Sequence, residues 1–175
     1  MGRLKVHLPV KLAIGCIFQD DEVLRTARAK LVKKFGSVDF ESDSVQFTHT
    51  DYYTQELGED LKRRFISFRR LIRPDTLPKI KTFTNYLEQR LSLAGNRRIN
   101  LDPGYLELSK FILATTNDFK HRIWLGAGVF AEVTLYYQDK SFRCWEWTYP
   151  DYRTDAYIQT LNRIRAIYVE QIKGH

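Results

Sequence analysis

Residues 11–18, KLAIGCIF, constrain the fold most, because they are nearly continuous in apolar character and predict a buried β-strand. Asp20 and Asp21 follow directly and are typical of a helix N-cap with an acidic first turn. Apolar positions then recur at helical spacing, at Leu24, Ala27, Leu31 and Phe35. A buried strand that leads straight into an amphipathic helix limits the chain to folds that mix both kinds of element.

The rest of the first half predicts further strands and a second helix. Val38 and Phe40 begin a strand that we expect to bulge or turn near residues 42–44. Residues 61–72 are interpreted as a strand, although the spacing of their apolar positions also fits a helix. Pro74 marks the start of the next helix.

The second half is mainly β in pattern. Residues 102–104, Asp-Pro-Gly, favour a turn, and residues 105–117 fit a short helix followed by a strand. Residues 121–125 and 129–137 predict the two strands of a hairpin. A last helix is expected to start near Thr154.

The order of these elements predicts an α+β fold in a single domain, residues 1–175. We expect a ferredoxin-like β-α-β-β-α-β half that antiparallel hairpins extend into one larger sheet, with a C-terminal helix. The helices are expected on one face of that sheet. A length of 175 residues, 43% of them hydrophobic, suffices for one core.

Missing motifs exclude several classes of enzyme. The sequence has no Gly-x-x-x-x-Gly-Lys-Ser/Thr phosphate loop, no Gly-x-Ser-x-Gly elbow, and no Cys-x-x-Cys or His-Glu-x-x-His zinc pattern. No metal site is therefore predicted, and no cofactor or oligomeric state is indicated. No segment approaches the ~20 apolar residues of a membrane helix. Cys16 and Cys144 are interpreted as reduced packing residues, which favours a cytoplasmic location.

The formal net charge of +7 favours an anionic partner. Residues 61–73 contain no acidic side chain and these basic ones: Lys62, Arg63, Arg64, Arg69, Arg70 and Arg73. The stretch is either a solvated strand edge protected by its charge or an anion-binding surface. The second interpretation makes RNA binding an alternative function.

The first candidate site lies beside the turn expected at residues 102–104. On a strand, Asn100 and Asp102 point to the same face, opposite Leu101. Two short polar side chains then project together near a rigid turn. Asp102 either caps that turn through its own backbone or serves a ligand or metal.

The second candidate is Glu132, which occupies one strand face with Thr134. A covered carboxylate needs a partner, and His121 or Arg122 would supply one across the hairpin. The alternatives are an exposed cross-strand ion pair and a carboxylate held in a cleft as acid, base or metal ligand.

Aspartate–tyrosine pairs form the third candidate, at Asp51-Tyr52 and again at Asp151-Tyr152 after a tryptophan-rich segment. These aromatics either stack on a base or sugar ring or pack as a lid over the sheet.

Longer motifs carry a family resemblance: NLDPGY at residues 100–105 and WTYPDY at residues 147–152. Shorter matches lie at residues 51–53, 121–123 and 131–135. Over nearly its whole length the chain resembles the bacterial and archaeal family called domain of unknown function 4416. Some members are labelled GTP-binding proteins, but the missing phosphate loop gives that label no basis here.

The resemblance implies no established activity and carries over no catalytic residue. It marks its motifs as family signatures, which makes these the preferred site candidates: Asn100, Asp102, Tyr105, Glu132, Asp151 and Tyr152.

The leading hypothesis is a protein that binds a small anionic or ring-bearing ligand, nucleotide- or sugar-phosphate-like, in a polar-aromatic cleft. One form of this hypothesis is an enzyme that uses the carboxylates of the cleft. Asp102 and Glu132 would act as acid, base or metal-ligand carboxylates. The other expected ligand contacts are an anion held by Arg64 and Arg122, orientation by Asp51 and Asp151, and stacking or hydrogen bonding by Tyr52, Asn100, Tyr105 and Tyr152. The alternatives are an RNA-binding module and a partner-binding protein without a small-molecule site.

Overall fold

The computed structural model describes residues 2–48 and 53–173. Its strands are β1 (Lys11–Phe18), β2 (Val38–Glu41), β3 (Val45–Gln46), β4 (Lys62–Phe68), β5 (Ile99–Leu106), β6 (Lys110–Thr115), β7 (Arg122–Gly126), β8 (Val129–Gln138) and β9 (Ser141–Cys144). Its helices are α1 (Asp21–Phe35), α2 (Thr54–Leu57), α3 (Leu77–Arg90) and α4 (Asp155–Gln171), with short 3-10 turns at Pro74–Thr76 and Asp151–Arg153. No helix within the described ranges is long and apolar enough to cross a membrane.

One sheet of nine strands runs through the fold, in the order β2-β4-β1-β5-β6-β8-β7. β3 pairs with β4 and β9 pairs with β8, and all of these pairings are antiparallel. The predicted α+β class, with a large antiparallel sheet and a C-terminal helix, is confirmed. The ferredoxin-like description of the first half remains an interpretation.

The N-terminal strand and helix form as the sequence predicts. β1 is buried along its whole length. The Asp20 side chain accepts a hydrogen bond from the Glu22 backbone N–H, and α1 ends at Phe35 with Gly36 as its cap. The predicted strand and the predicted helix are both confirmed.

Alternation along β1 divides the fold into layers. The even-numbered residues between 12 and 18 pack with α1 and α3, whereas Ala13 packs with Leu161 and Ile164 of α4. The expectation that all helices gather on one face is therefore wrong. α1 and α3 do not cover the whole sheet. Its other face carries apolar side chains such as Phe65 and Phe111, and α4 buries them.

The sheet opens between β5 and β6. These strands pair only at Gly104, Tyr105 and Leu106, so the first part of β5 has no β6 neighbour. α3 lies along this open edge, and its side chains bond the backbone of Leu101. Lys81 Nζ donates to the Leu101 carbonyl at 3.2 Å, and the Leu101 N–H donates to Glu88 Oε1 at 2.6 Å. Buried backbone groups need such partners where a neighbouring strand is missing.

Residues 102–104 lie inside β5 and not at a turn, and the short helix expected after them is absent, since β5 and β6 are both strands. The Leu101 N–H points away from β1, towards Glu88. Backbone nitrogens two positions apart in a strand point to the same side, so the nitrogen of Pro103 also points away from β1. Because proline has no N–H, its position on this unpaired side costs no hydrogen bond to β1. Gly104 allows the close approach of β6, because a Cβ there would lie 2.5 Å from the Ile112 carbonyl oxygen.

Candidate functional site

A cavity of about 680 Å³ occupies the opening between β5 and β6. Its walls come from α3, from the unpaired part of β5, from residues 113–117 at the end of β6, and from residues 149–152. Five residues predicted from the sequence line it: Asn100, Asp102, Glu132, Asp151 and Tyr152. The cavity thus joins side chains from segments far apart in the sequence.

Arg63 of β4 is the charged centre of this wall and is only 1% exposed. Its Nη1 donates to Asp102 Oδ2 at 2.9 Å, and its Nη2 donates to the Tyr152 hydroxyl at 2.6 Å. The same Nη2 lies 3.9 Å from Asp151 Oδ2. One buried guanidinium therefore positions Asp102, Asp151 and Tyr152 relative to one another.

Gly15 of β1 makes room for the Arg63 side chain. A Cβ at Gly15 would lie 2.8 Å from Arg63 Nη2 and 2.9 Å from Arg63 Cζ, closer than real side chains approach. The guanidinium also lies within cation–π distance of the rings of Phe65, Tyr152 and Tyr157. The absence of a side chain at Gly15 thus lets an arginine be buried against the middle of the sheet.

The pKa values of the two aspartates beside Arg63 are shifted in opposite directions. Burial alone would raise the pKa of Asp102, but the charges of Arg63 and Lys81 outweigh it and lower that pKa below 3.8. Burial raises the pKa of Asp151 above 3.8; Arg63 opposes the shift and the charge of Asp102 adds to it. Two carboxylates with separated pKa values are the arrangement that acid–base chemistry uses.

α3 adds a second ion network to the cavity wall, in which Glu88 is buried and Arg97 is partly exposed. Burial raises the pKa of Glu88, opposed by the charge of Lys81 and the backbone hydrogen bond from Leu101. Arg97 Nη1 donates to Glu88 Oε2 at 3.1 Å, while Arg97 Nε and Nη2 both donate to the carboxylate of Glu56 at 2.6 Å. This network fixes α3 against β5 and forms one side of the cavity.

Glu132 is paired across the β7–β8 hairpin, as the sequence predicts. It lies opposite Arg122 in the strand register, and its Oε2 is 2.9 Å from Arg122 Nε and 3.0 Å from His121 Nε2. Thr134 donates to Oε1 at 3.2 Å, and Arg122 also donates to the Tyr149 hydroxyl. Glu132 is 1% exposed, and both of its carboxylate oxygens have hydrogen-bond partners at the margin of the cavity.

The tryptophan-rich segment packs on itself. Trp145 and Trp147 stack with ring centroids 5.1 Å apart, and Trp147 stacks on His121 at 5.3 Å. Tyr136 lies 4.4 Å from Trp145. None of these rings is among the described residues that line the cavity, so the stack supports the Glu132–His121 pair instead.

Several predicted site residues lie elsewhere. Arg64 points to the opposite sheet face from Arg63, because side chains alternate along β4, and it bonds Glu41 and Ser44 at 3.0 and 2.8 Å. Tyr105 packs beside the cluster of Leu77 and Ile112. Neither residue lines this cavity, and their predicted ligand contacts stay predictions.

The remaining predicted ligand residues are Arg122, Asp51 and Tyr52. Arg122 is not among the described lining residues, but it bonds three that are: Glu132, Tyr149 and the carbonyl of Asn117. Asp51 and Tyr52 lie outside the described residues. Their predicted roles therefore remain hypotheses.

Sequence reasoning missed Arg63, Lys81 and Glu88. Arg63 shares its strand parity with Phe65, the strand partner of Gly15, and its guanidinium lies over the side-chain-free Gly15. Lys81 and Glu88 are seven positions apart and so share one face of α3, beside its apolar stripe. A charge next to an apolar stripe is common, so the pattern alone does not identify burial.

The basic stretch at residues 61–73 does not form one surface. The acids that pair with its members are Asp21 for Lys62, Asp102 for Arg63, Glu41 for Arg64 and Asp75 for Arg73. Arg70 donates to the backbone carbonyl of Lys34. Within the described ranges, no group of three or more His, Cys, Asp or Glu side chains is arranged to hold a metal ion.

The fold and cavity define the class: an α+β protein whose antiparallel sheet opens to form a cavity lined by buried ion pairs. The chain belongs to the family described as Domain of unknown function (DUF4416), which matches residues 8–168. No curated protein and no solved structure matches it.

Proposed function

We propose that the protein binds a small, polar, ring-bearing ligand, nucleoside- or sugar-like with or without phosphate, in the cavity between β5 and β6. The observation that carries this proposal is that one cavity of about 680 Å³ unites five residues chosen from separate motifs. Its volume is within the range of small-molecule sites, roughly 300–1,000 Å³. Its wall is mainly polar and charged, with the aromatic rings of Tyr149 and Tyr152 among the lining residues.

Each group has a defined part in this proposal. Asp102 and Asp151 accept hydrogen bonds from the ligand, and Arg63 holds them in place from beneath. Tyr149 and Tyr152 border the ring. If the ligand reacts, Asp102 and Asp151 are the two carboxylates placed to exchange protons with it.

A thermal-shift screen with nucleosides, nucleotides, sugars and sugar phosphates tests the proposal. At least one compound is expected to raise the melting temperature of the protein. Thr116→Trp places a large ring at the exposed margin of the cavity and should abolish that increase. Thr82→Trp, on the exposed side of α3, is the matched control and should preserve it. A compound that stabilises Thr116→Trp as strongly as the unaltered protein would contradict the proposed site.

RNA binding receives less support. Its sequence argument was the basic stretch at residues 61–73, and several of those side chains are paired with acids on different faces of the fold. A cytoplasmic location remains our proposal, supported by Cys16 and Cys144, which are both free thiols.

A further inference from the structure

The charge distribution in the cavity indicates which chemical class of ligand it accepts. We infer that the ligand is a neutral or cationic ring compound without phosphate, whose hydroxyl or amino groups donate hydrogen bonds to Asp102 and Asp151. This inference rests on the proposed function and deepens it. The described lining residues include four carboxylates against three cations, so the wall does not present a positive surface.

Each nitrogen of Arg97 already donates to a protein acceptor. Its Nε and Nη2 donate to both oxygens of Glu56 at 2.6 Å, and its Nη1 donates to Glu88 at 3.1 Å and to Asn100 Oδ1 at 3.0 Å. Bidentate arginine–carboxylate pairing is among the strongest polar contacts in proteins. A phosphate would compete with Glu56 and Glu88 for this guanidinium.

Arg63 and Lys81 are also opposed by carboxylates. Arg63 bonds Asp102 and Tyr152 and is almost fully buried. Lys81 Nζ donates to the Leu101 carbonyl and lies 3.9 Å from Asp102 Oδ1, with its side chain 8% exposed. Neither side chain offers an exposed positive group to the cavity.

Two carboxylates retain the capacity to accept bonds from a ligand. Glu88 and Glu132 are 5% and 1% exposed and are occupied by the partners described above. The Asp102 side chain is 22% exposed, and only its Oδ2 bonds Arg63. Asp151 is 12% exposed and lies 3.9 Å from Arg63, beyond ordinary hydrogen-bond distance. These two groups face the cavity as acceptors.

The wall also holds a buried donor. The buried Nδ2 of Asn100 makes no bond of ordinary geometry among the described residues, although the Asn100 side chain lies close enough to Asp102 to help lower the pKa of that carboxyl. A ring that carries an acceptor next to its donors, as a nucleoside or a free sugar does, satisfies this amide together with Asp102. A phosphate brings negative charge towards Asp102 and Asp151, and the low dielectric of a buried site increases that repulsion.

Isothermal titration calorimetry with matched pairs tests the inference: adenosine against adenosine 5′-monophosphate, uridine against its monophosphate, and glucose against glucose 6-phosphate. For the pair that binds, the dissociation constant of the unphosphorylated member should be lower by about tenfold or more. A phosphorylated member that binds more tightly would overturn the inference but leave the proposed function intact. Failure of every compound to bind would contradict both.

Asp102→Asn and Asp151→Asn distinguish the role of the carboxylates. Each variant should weaken binding of the neutral compound by about tenfold and reduce the preference over its phosphate ester. Asp151→Asn removes only the more distant partner of Arg63, so it keeps the test valid if Asp102→Asn unfolds. Asp139→Asn, at an exposed position whose φ of 50° suits asparagine, is the control and should bind unchanged. Unaltered binding by folded Asp151→Asn and Asp102→Asn would overturn the inference.

Discussion

Arg63 owes its position to the residues that surround it. Gly15 leaves space beneath the guanidinium, Asp102 neutralises it, and the Tyr152 hydroxyl accepts its second Nη hydrogen bond. A buried charge is tolerated only when it is paired and hydrogen-bonded. Arg63 therefore contributes to the stability of the fold and to the geometry of the cavity at once.

The neighbouring arginines of β4 allow a matched comparison. Arg63→Met leaves Asp102 without its hydrogen-bonded cation and should lower the free energy of unfolding by about 3–5 kcal/mol. Arg64→Met removes a more exposed pair with Glu41 and should cost less than about 1 kcal/mol. Urea denaturation of both variants measures the difference. Equal losses would contradict the central role of Arg63.

Gly15→Ala tests the space beneath Arg63. The added methyl group must displace the guanidinium, so the free energy of unfolding should fall by about 1–3 kcal/mol. Gly2→Ala, where a Cβ meets nothing within 4 Å, should leave it unchanged. Urea denaturation measures both, and a neutral Gly15→Ala would show that the close approach is unimportant.

The two aspartates predict opposite pH effects on stability. The pKa of Asp102 is below 3.8 in the folded protein. The stabilisation of the fold by ionised Asp102 is therefore present above pH 3.8 and is lost as the pH falls through the pKa of the folded state. The pKa of Asp151 is above 3.8 in the fold, so stability is lost as the pH rises from 3.8 through the folded pKa.

Variants make these effects measurable. The stability advantage of the unaltered protein over Asp102→Asn should shrink at the acid end of the range. Its stability relative to Asp151→Asn should instead decrease as the pH rises from about 4 towards 7. Urea denaturation across this range gives both trends, and parallel trends for the two variants would contradict the assigned pKa directions.

At the scale of elements, local patterns were sufficient for β1, α1 and the β7–β8 hairpin, because each is specified by its own residues. They misassigned residues 102–104, since Asp-Pro-Gly normally forms a turn. The chain remains extended there because β5 lacks its β6 neighbour on the side towards which the Pro103 nitrogen points. No local pattern shows which edge of a strand is unpaired.

Glu88 tests how α3 supports the open edge of β5. Glu88→Ala leaves the Leu101 N–H without its buried acceptor and should cost about 1–3 kcal/mol, with faster hydrogen exchange at the Leu101 amide. Glu88→Gln keeps an acceptor oxygen and should restore most of the protection. Unchanged exchange in Glu88→Ala would mean that α3 does not hold this edge.

At the scale of the whole molecule, the sequence predicted the residue types of the cavity better than their arrangement. Asp102, Glu132 and Asp151 meet only because β5, β8 and the turn at Asp151–Arg153 converge around the gap. The sequence analysis selected Arg64, whereas the cavity is lined by Arg63. Strand parity is visible in the sequence, but the face of the strand that borders a cavity is not. The position of a helix against a sheet gap depends on long-range packing.

The most direct test of the account is chemical-shift mapping by nuclear magnetic resonance, using the nucleoside or sugar that raises the melting temperature most. The account predicts shifts concentrated in the amides that border the cavity, at Asn100, Asp102, Ala114 and Thr115, with little change in α1 and β2. Shifts that instead cluster in α1 or β2, or that spread without reference to the gap between β5 and β6, would contradict the claim that this cavity is the binding site.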